Sequence, residues 1–532
     1  MKAIKDGDFR GLPISRASTA VNMTGSWKFF RPHLVSKNSP CREACPLQIP
    51  IAAYLGRLAE GKPSAALALL REFNPMPAVT GRVCPNFCQN ACNRMEFDEA
   101  VSVGELERYL GDLGLEQAPD PVTVNRTEKI AIIGAGPAGL SAATFLARRG
   151  FKITLFEQAP AAGGLLRYAI PAYRLPRAIL NREIDNLLKS YQIDLKCECR
   201  IGPDETSQLA TEYSRIIWAP GLQSSRLPAA WPRLPLIKGA LEVLSAISRG
   251  ADINGQRFLV VGGGNAALDT ARSLRRLGKE VEIIYRRTLA EMPAYAAEIK
   301  QALAEGLVIH TEEVIENVKP LTTGLQLFIH KSRKINEQIG AGEFLRTATA
   351  DCLIAAIGQE SDLRFNEHNN FITAGDFAHG AASVAEALAS GRRAAETVLQ
   401  QLGILPVPEN ITPDLKSKSR IEYKQLQLDY YAKKPAVKMA ELDSLSRKEN
   451  FSEIHQTLSS EQMQIEIERC FHCGSCTACG ICWFFCPDVA IALDREESDL
   501  ESRVLFDYDH CKGCGQCAAI CPRGVIEMEE DN

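Results

Sequence analysis

The chain is 532 residues long, with 45% hydrophobic and 24% charged residues, a length that suits three or four domains with sizeable cores. A formal net charge of −4 argues against nucleic acid as the main partner. Its 18 cysteines stand without a leading apolar run of signal-peptide length and without an apolar run long enough for a membrane span, so they read as metal-bound thiolates of a cytoplasmic protein rather than disulfides.

The first cysteines stand as Cys41-x3-Cys45-Pro46 and Cys84-x3-Cys88-x3-Cys92 in a helix-rich stretch, residues 1–120. Five thiolates are too many for one four-iron cluster and too few for two. Next comes Lys129–Ile133, an apolar run ending in Gly134-Ala-Gly136-Pro-Ala-Gly139, then an Ala-rich helical stretch over 140–149, a second apolar run Lys152–Phe156, and Glu157. Strand, glycine turn, helix, strand and acid are the parts of a dinucleotide site. The glycines let the backbone approach a pyrophosphate at the helix N-terminus, and Glu157 would accept the ribose hydroxyls.

A second such unit runs from Arg257–Val261 through Gly262-Gly-Gly264-Asn265-Ala-Ala267, a helix to about Leu277 and a strand over 281–285. Arg286 and Arg287 stand where an NAD site would place an acid, and guanidinium groups there suit the 2′-phosphate of NADP; a solvated basic strand end is the alternative. Two dinucleotide units in one chain predict a flavin domain with a nicotinamide domain inserted in it. The return to the flavin is expected at the apolar run 352–357, which ends at Gly358, and then at Gly375-Asp376 ahead of a small-residue helix over 382–398. Gly375 would allow backbone approach and Asp376 would bond a ribityl hydroxyl.

Residues 404–462, rich in Lys, Pro and polar side chains, read as a linking strap. Ten of the 18 cysteines lie in the last 63 residues. Cys476-x2-Cys479-x2-Cys482-x3-Cys486-Pro and Cys511-x2-Cys514-x2-Cys517-x3-Cys521-Pro have the bacterial ferredoxin spacing, in which the fourth thiolate of each run serves the other cluster. One [4Fe–4S] cluster is therefore expected on Cys476, Cys479, Cys482 and Cys521, and another on Cys511, Cys514, Cys517 and Cys486. A pair of zinc knuckles would need only two short cysteine pairs.

Over roughly residues 35–403 the chain resembles the small subunit of NADPH-dependent glutamate synthase and its relatives, including the FAD half of dihydropyrimidine dehydrogenase. The matching stretches are Gly134-Ala-Gly-Pro-Ala-Gly139, Gly163-Gly164, Ile170-Pro171 with Arg174-Leu-Pro176, Gly262-Gly-Gly-Asn265, Tyr285-Arg-Arg287 and Gly375-Asp376. The resemblance implies FAD at the first site, with Gly164 and Arg174 among its contacts, and NADP(H) at the second, NAD(H) being possible. No Cys-x4-Cys follows Gly163-Gly164, so a disulfide-reductase mechanism is unsupported. That family carries a further Arg-Cys-x2-Cys just before the equivalent of Cys41; here Lys37-Asn-Ser-Pro precedes Cys41, and Arg469-Cys470-x2-Cys473 stands ahead of the ferredoxin runs. The family also uses an oxygen ligand on the next helix, which aligns with Glu107. The resemblance thus implies one cluster on Cys41, Cys92, Cys470 and Cys473 and another on Cys45, Cys84, Cys88 and Glu107. The alternatives are a third local site or unligated thiols at Cys470 and Cys473, and a solvated carboxylate at Glu107. Cys197, Cys199 and Cys352 have no ligand spacing and read as structural, and the eight histidines form no metal motif.

The expected architecture is α/β, with two Rossmann-like domains, the NADP domain inserted in the FAD domain. A helical Fe–S domain precedes them and an α+β bacterial-ferredoxin-like domain succeeds them. The boundaries are 1–120, 121–235 (FAD), 236–345 (NADP), 346–403 (FAD), 404–462 (strap) and 463–532. The tail resembles the ferredoxin subunit of 2-oxoacid:ferredoxin oxidoreductases, and the whole layout resembles the iron–sulfur flavoprotein that serves dissimilatory sulfite reductase. These features imply an NAD(P)H:acceptor oxidoreductase subunit carrying FAD and four [4Fe–4S] clusters. It would exchange electrons with a partner redox enzyme or ferredoxin in a hetero-oligomeric complex, with no catalytic side chain. A glutamate synthase small subunit, which would need a separate large subunit, and a non-enzymatic cluster-bearing scaffold are the alternatives.

Overall fold

Five short strands line up as a parallel sheet in the order Phe371–Thr373, Arg215–Trp218, Lys129–Ile133, Lys152–Phe156 and Asp194–Lys196. The central strands are buried on both faces, which is why they read as continuous rather than alternating apolar runs. In chain order the strands are arranged 3-2-1-4-5, so the order reverses beside Lys129–Ile133 and leaves a crevice at the carboxyl ends of the strands. The computed structural model describes residues 23–335, 338–361, 371–404, 419–448, 450–493 and 504–531. They pack as two units, one of residues 23–40, 419–433 and 471–531, the other of residues 41–404 and 434–470.

The larger unit holds a second parallel sheet, ordered Val308–Thr311, Glu280–Tyr285, Arg257–Val261, Cys352–Ala355 and Ile237–Gly239. Here one expectation is corrected. Cys352–Ala355 does not return to the flavin sheet but pairs with Arg257–Val261 and Ile237–Gly239. An apolar run of this length suits either sheet; Asp351 decides, because its carboxylate accepts from the backbone N–H groups of Gln256 and Arg257 at the start of the second sheet's middle strand. The flavin sheet is rejoined only at Phe371–Thr373. The outward and returning connections meet as a short antiparallel pair, Ser224–Ser225 with Gln359–Glu360. An antiparallel sheet of Glu313–Pro320, Leu325–Ile335 and Gln338–Ala350 completes the inserted domain.

The longer helices of the first domain, among the described residues, are Ile51–Ala59, Pro63–Phe73, Pro77–Val83 and Val103–Glu116. Proline opens two of them, where its missing N–H has no intrahelical partner to lose. Pro77–Val83 and Val103–Glu116 cross backbone to backbone at Gly81 and Gly111, where a Cβ would meet Arg108 Cα at 2.5 Å and the Ala78 nitrogen at 2.3 Å. The segment 434–470 lies back over this unit. Glu453 bridges Arg82 and Arg108, Thr457 and the His455 carbonyl accept from Arg108, and the Asn450 carbonyl accepts from Arg276 in the inserted domain. The strap is thus ordered over the part described; residues 405–418 lie outside the described residues.

The smaller unit gathers three chain segments. Phe30–Leu34 pairs antiparallel with Ile526–Glu530, so residues 23–40 belong with the ferredoxin cysteines and not with the helical domain expected to start at residue 1. Ile491–Leu493 pairs with Val504–Phe506, and Val504, Val525, Ile526 and Ile491 form a small core with Cys482, Cys517 and Cys521. Among the described residues no helix is long and apolar enough to cross a membrane.

Candidate functional site

The crevice of the first sheet opens into a cavity of about 680 Å³ lined by Gly134, Gly136, Glu157, Gly164, Gly375 and Asp376, with Tyr168, Arg200, Gln223 and Arg249. Gly134 turns the chain at φ +102, and a Cβ on Gly139 would lie 1.9 Å from the Gly134 oxygen, so strand and helix meet too closely for a side chain. Glu157 accepts from the N–H groups of Ala135 and Ala159, bracing the turn from below. Asp376 carries a buried Oδ1 with no hydrogen-bond partner, and burial pushes its pKa up to about 6. An orphaned acceptor facing a cavity of this size, beside a glycine turn at a helix N-terminus, fits a flavin dinucleotide.

Two expected contacts are not at this cavity. The Arg174 guanidinium is spent on a buried ion pair with Asp269 at 2.8 Å and with Glu298 at 3.1 Å. Arg272, Glu305 and Arg276 extend this network. Gly358 sits on the connection between the domains, its carbonyl accepting from Arg226 N–H. Sequence reasoning missed Arg200, Gln223 and Arg249, since single polar residues on separate loops carry no local pattern.

At the reversal point of the second sheet, Gly262, Gly264 and Asn265 open the helix Asn265–Arg276. Nothing lies within 4 Å of where a Gly264 Cβ would be, whereas the ring of Tyr285 packs against Gly263. The Asn265 side chain accepts from Tyr295 N–H and fixes the loop behind. Arg286 and Arg287 are exposed at the end of Glu280–Tyr285, and among the described residues neither is in an ion pair. Two free guanidinium groups at this place fit a 2′-phosphate.

In the helical domain the glycine crossing brings Glu107 over Thr80 and Asn74, both of which donate to its Oε1. Cys84 caps the helix that carries Thr80. Burial and then the charge of Glu107 push Cys84 up to about 12; Cys45 rises to about 11, chiefly by burial; Cys88 rises through burial, Cys41 and Cys45, with Glu107 also acting. Glu107 itself rises to about 7 by burial. Glu107 and three thiols that raise one another's pKa cannot all ionise unless a cationic centre compensates them, which is the donor chemistry of a metal cluster. Cys41, Cys92 and Cys470 border the same core. Arg469, fully buried, holds Cys470 there by pairing with Glu466 and Asp98 and donating to the carbonyls of Glu99 and Ala100. Cys473 belongs to the smaller unit.

In that smaller unit the interlocked spacing is reproduced in space. One cavity is lined by Cys476, Cys479, Cys482 and Cys521, a second by Cys486, Cys511, Cys514 and Cys517. Ala478 N–H points at the Cys476 sulfur at 3.4 Å and Ala490 N–H at that of Cys486 at 3.3 Å. Among the described residues no group of three or more His, Cys, Asp and Glu side chains is arranged to hold a single metal ion.

Three family models match the chain: pyridine nucleotide-disulphide oxidoreductase over residues 128–377, dihydropyrimidine dehydrogenase domain II, 4Fe–4S cluster, over 34–118, and 4Fe–4S dicluster domain over 475–525. The beta subunit of an NADP(+)-dependent formate dehydrogenase from Moorella thermoacetica is 32% identical, over 88% of this chain and 74% of its own. An NAD-dependent dihydropyrimidine dehydrogenase subunit, PreT, from Salmonella typhimurium is 31% identical, over 69% and 91%. The beta subunit of an NADPH-Fe(3+) oxidoreductase from Geobacter sulfurreducens is 32% identical over 62% of this chain, which spans 52% of that relative. The chain belongs to the glutamate synthase small-subunit-like family and is an iron–sulfur flavoprotein of the FAD-dependent NAD(P)H oxidoreductase type.

Proposed function

We propose that this chain is the NADPH-linked electron-transfer subunit of a larger redox assembly, carrying FAD and four [4Fe–4S] clusters and exchanging electrons with a partner oxidoreductase through its ferredoxin-type unit. The observation that carries this is the coexistence, in one chain, of a flavin-sized cavity, two unpaired arginines at the second nucleotide site and two four-cysteine cavities. When bound, the flavin supplies two-electron hydride chemistry and the clusters supply one-electron steps. The residues of the chain bind, orient and exclude water. The turn Gly134–Gly139 and the helix it opens hold a pyrophosphate, Asp376 offers an acceptor to a ligand hydroxyl, and Arg286 and Arg287 hold a 2′-phosphate. The Ala478 and Ala490 amides donate to ligand sulfurs.

The proposed ligand sets are Cys476, Cys479, Cys482 and Cys521; Cys486, Cys511, Cys514 and Cys517; Cys45, Cys84, Cys88 and Glu107; and Cys41, Cys92, Cys470 and Cys473. The proximity of Glu107 to Cys45, Cys84 and Cys88 supports the third, and the anchoring of Arg469 beside the helical domain supports a role for Cys470 in the fourth. The names of the relatives favour a partner that oxidises or reduces a small substrate and passes electrons singly, in the manner of a formate dehydrogenase; a 2-oxoacid:ferredoxin oxidoreductase or a dissimilatory sulfite reductase has the same requirement. Anaerobic NADPH should bleach the flavin, and the reduced protein should then reduce a bacterial ferredoxin. A flavin that NADPH leaves oxidised would refute the proposal. Replacing both Cys470 and Cys473 by serine should remove about four iron atoms per chain; full iron content would refute the fourth ligand set.

A further inference from the structure

Tyr54 lies on the helix Ile51–Ala59 and is wholly buried, yet among the described residues its hydroxyl has no hydrogen-bond partner. Buried tyrosine hydroxyls ordinarily find one, because a buried polar group left unpaired is destabilising. Tyr54 is buried in the same apolar core as Ile51, Leu55 and Leu58 of its own helix. Cys41, Cys45 and Cys88 pack against the same core as Tyr54, and with Glu107 they are the ionisable groups within electrostatic reach of its phenol. Three of these four belong to the ligand set Cys45, Cys84, Cys88 and Glu107, so the side chain shares its core with donors of that one cluster.

We propose that the Tyr54 hydroxyl donates a hydrogen bond to a sulfur of the cluster held by Cys45, Cys84, Cys88 and Glu107, and thereby sets that cluster's reduction potential. The inference rests on that ligand set. A phenol has one proton to donate, and the sulfurs of an iron–sulfur cluster accept more strongly once an electron is added, so the bond stabilises the reduced form and raises the potential. No bond is made or broken and no proton is transferred. Tyr54 is a positioning and tuning residue, not a ligand, and it lies outside every cysteine motif of the sequence.

The test uses the full chain with its cofactors. Cys84→Ser first identifies the cluster concerned, as the one whose iron and EPR signal it removes. Tyr54→Phe keeps the ring and removes only the hydroxyl. Its iron and flavin contents should match those of the unaltered protein. In an EPR-monitored redox titration that one cluster should move to lower potential, while the two ferredoxin-type clusters stay in place as internal controls. After exchange into D2O, the unaltered protein should show an exchangeable deuteron coupled to that cluster by ENDOR, and Tyr54→Phe should lose it. An unchanged potential with the deuteron retained would overturn the proposal, because a water or an amide would then be the donor. Loss of the cluster's iron in Tyr54→Phe would also overturn it, since a tuning donor is not needed to hold the metal. If Cys84→Ser keeps its full iron, the ligand set itself has failed; if that variant loses iron and Tyr54→Phe changes nothing, only the role of Tyr54 has.

Discussion

Arg286 and Arg287 are exposed and in no ion pair among the described residues, so their charge is available to a ligand. A charge-assisted contact to a phosphate contributes about 1.5–3 kcal/mol, or about 10- to 100-fold in affinity. Arg286→Ala should therefore raise the KM for NADPH by about that factor and leave the KM for NADH nearly unchanged, as steady-state dye reduction would show; equal loss with both nucleotides would mean the side chain supports the loop instead. Arg174 shows the opposite case. The family resemblance puts it among the flavin contacts, but its partners Asp269 and Glu298 lie 95 and 124 positions along the chain, and no local pattern announces them. Cysteine spacing and glycine turns were legible because the chemistry fixes them locally. Tyr54 and the buried arginines were not, because only tertiary packing sets their surroundings.

At the scale of elements, the crossing of Pro77–Val83 and Val103–Glu116 sets the distance between Cys84 and Glu107. Gly111→Ala would put a methyl group 2.3 Å from the Ala78 nitrogen. Overpacking of this kind costs about 1–3 kcal/mol and moves the helices apart. The variant should bind less iron, by about the content of one cluster, while keeping its flavin; iron and flavin assays on the same sample decide it. The end of the strap depends on a different contact. Arg469 and Glu466 are both fully buried, and Arg469→Met would leave Glu466 without its cation. Removing one partner of a buried pair typically costs about 3–5 kcal/mol. Faster hydrogen exchange or proteolysis across 434–470 is the expected result, and unaltered protection would show that the pair is not what holds the segment. The strap could be read as a tether from its composition, but its partners Arg82, Arg108 and Arg276 could not.

For the whole molecule, chain order and spatial grouping diverge. Lys129–Ile133 with Lys152–Phe156, and Arg257–Val261 with Glu280–Tyr285, were legible because each pair is two strands joined by one helix; the return of Phe371–Thr373 to the flavin sheet and the claim of the second sheet on Cys352–Ala355 were not. The joining of Phe30–Leu34 to Ile526–Glu530 was not, since the two strands lie at opposite ends of the sequence. A chain ended at Gly403 loses Glu453 and Thr457, leaving Arg82 and Arg108 short of partners, so it should retain flavin poorly and be cut readily in the helical domain; full flavin retention would show the strap to be dispensable. The most direct measurement is an anaerobic reductive titration of the intact protein, with flavin followed optically and clusters by EPR. One flavin and four clusters should take up about six electrons per chain, two on the flavin and one on each cluster. Uptake of about two electrons, with the flavin bleached and no cluster reduced, would contradict the electron-transfer role.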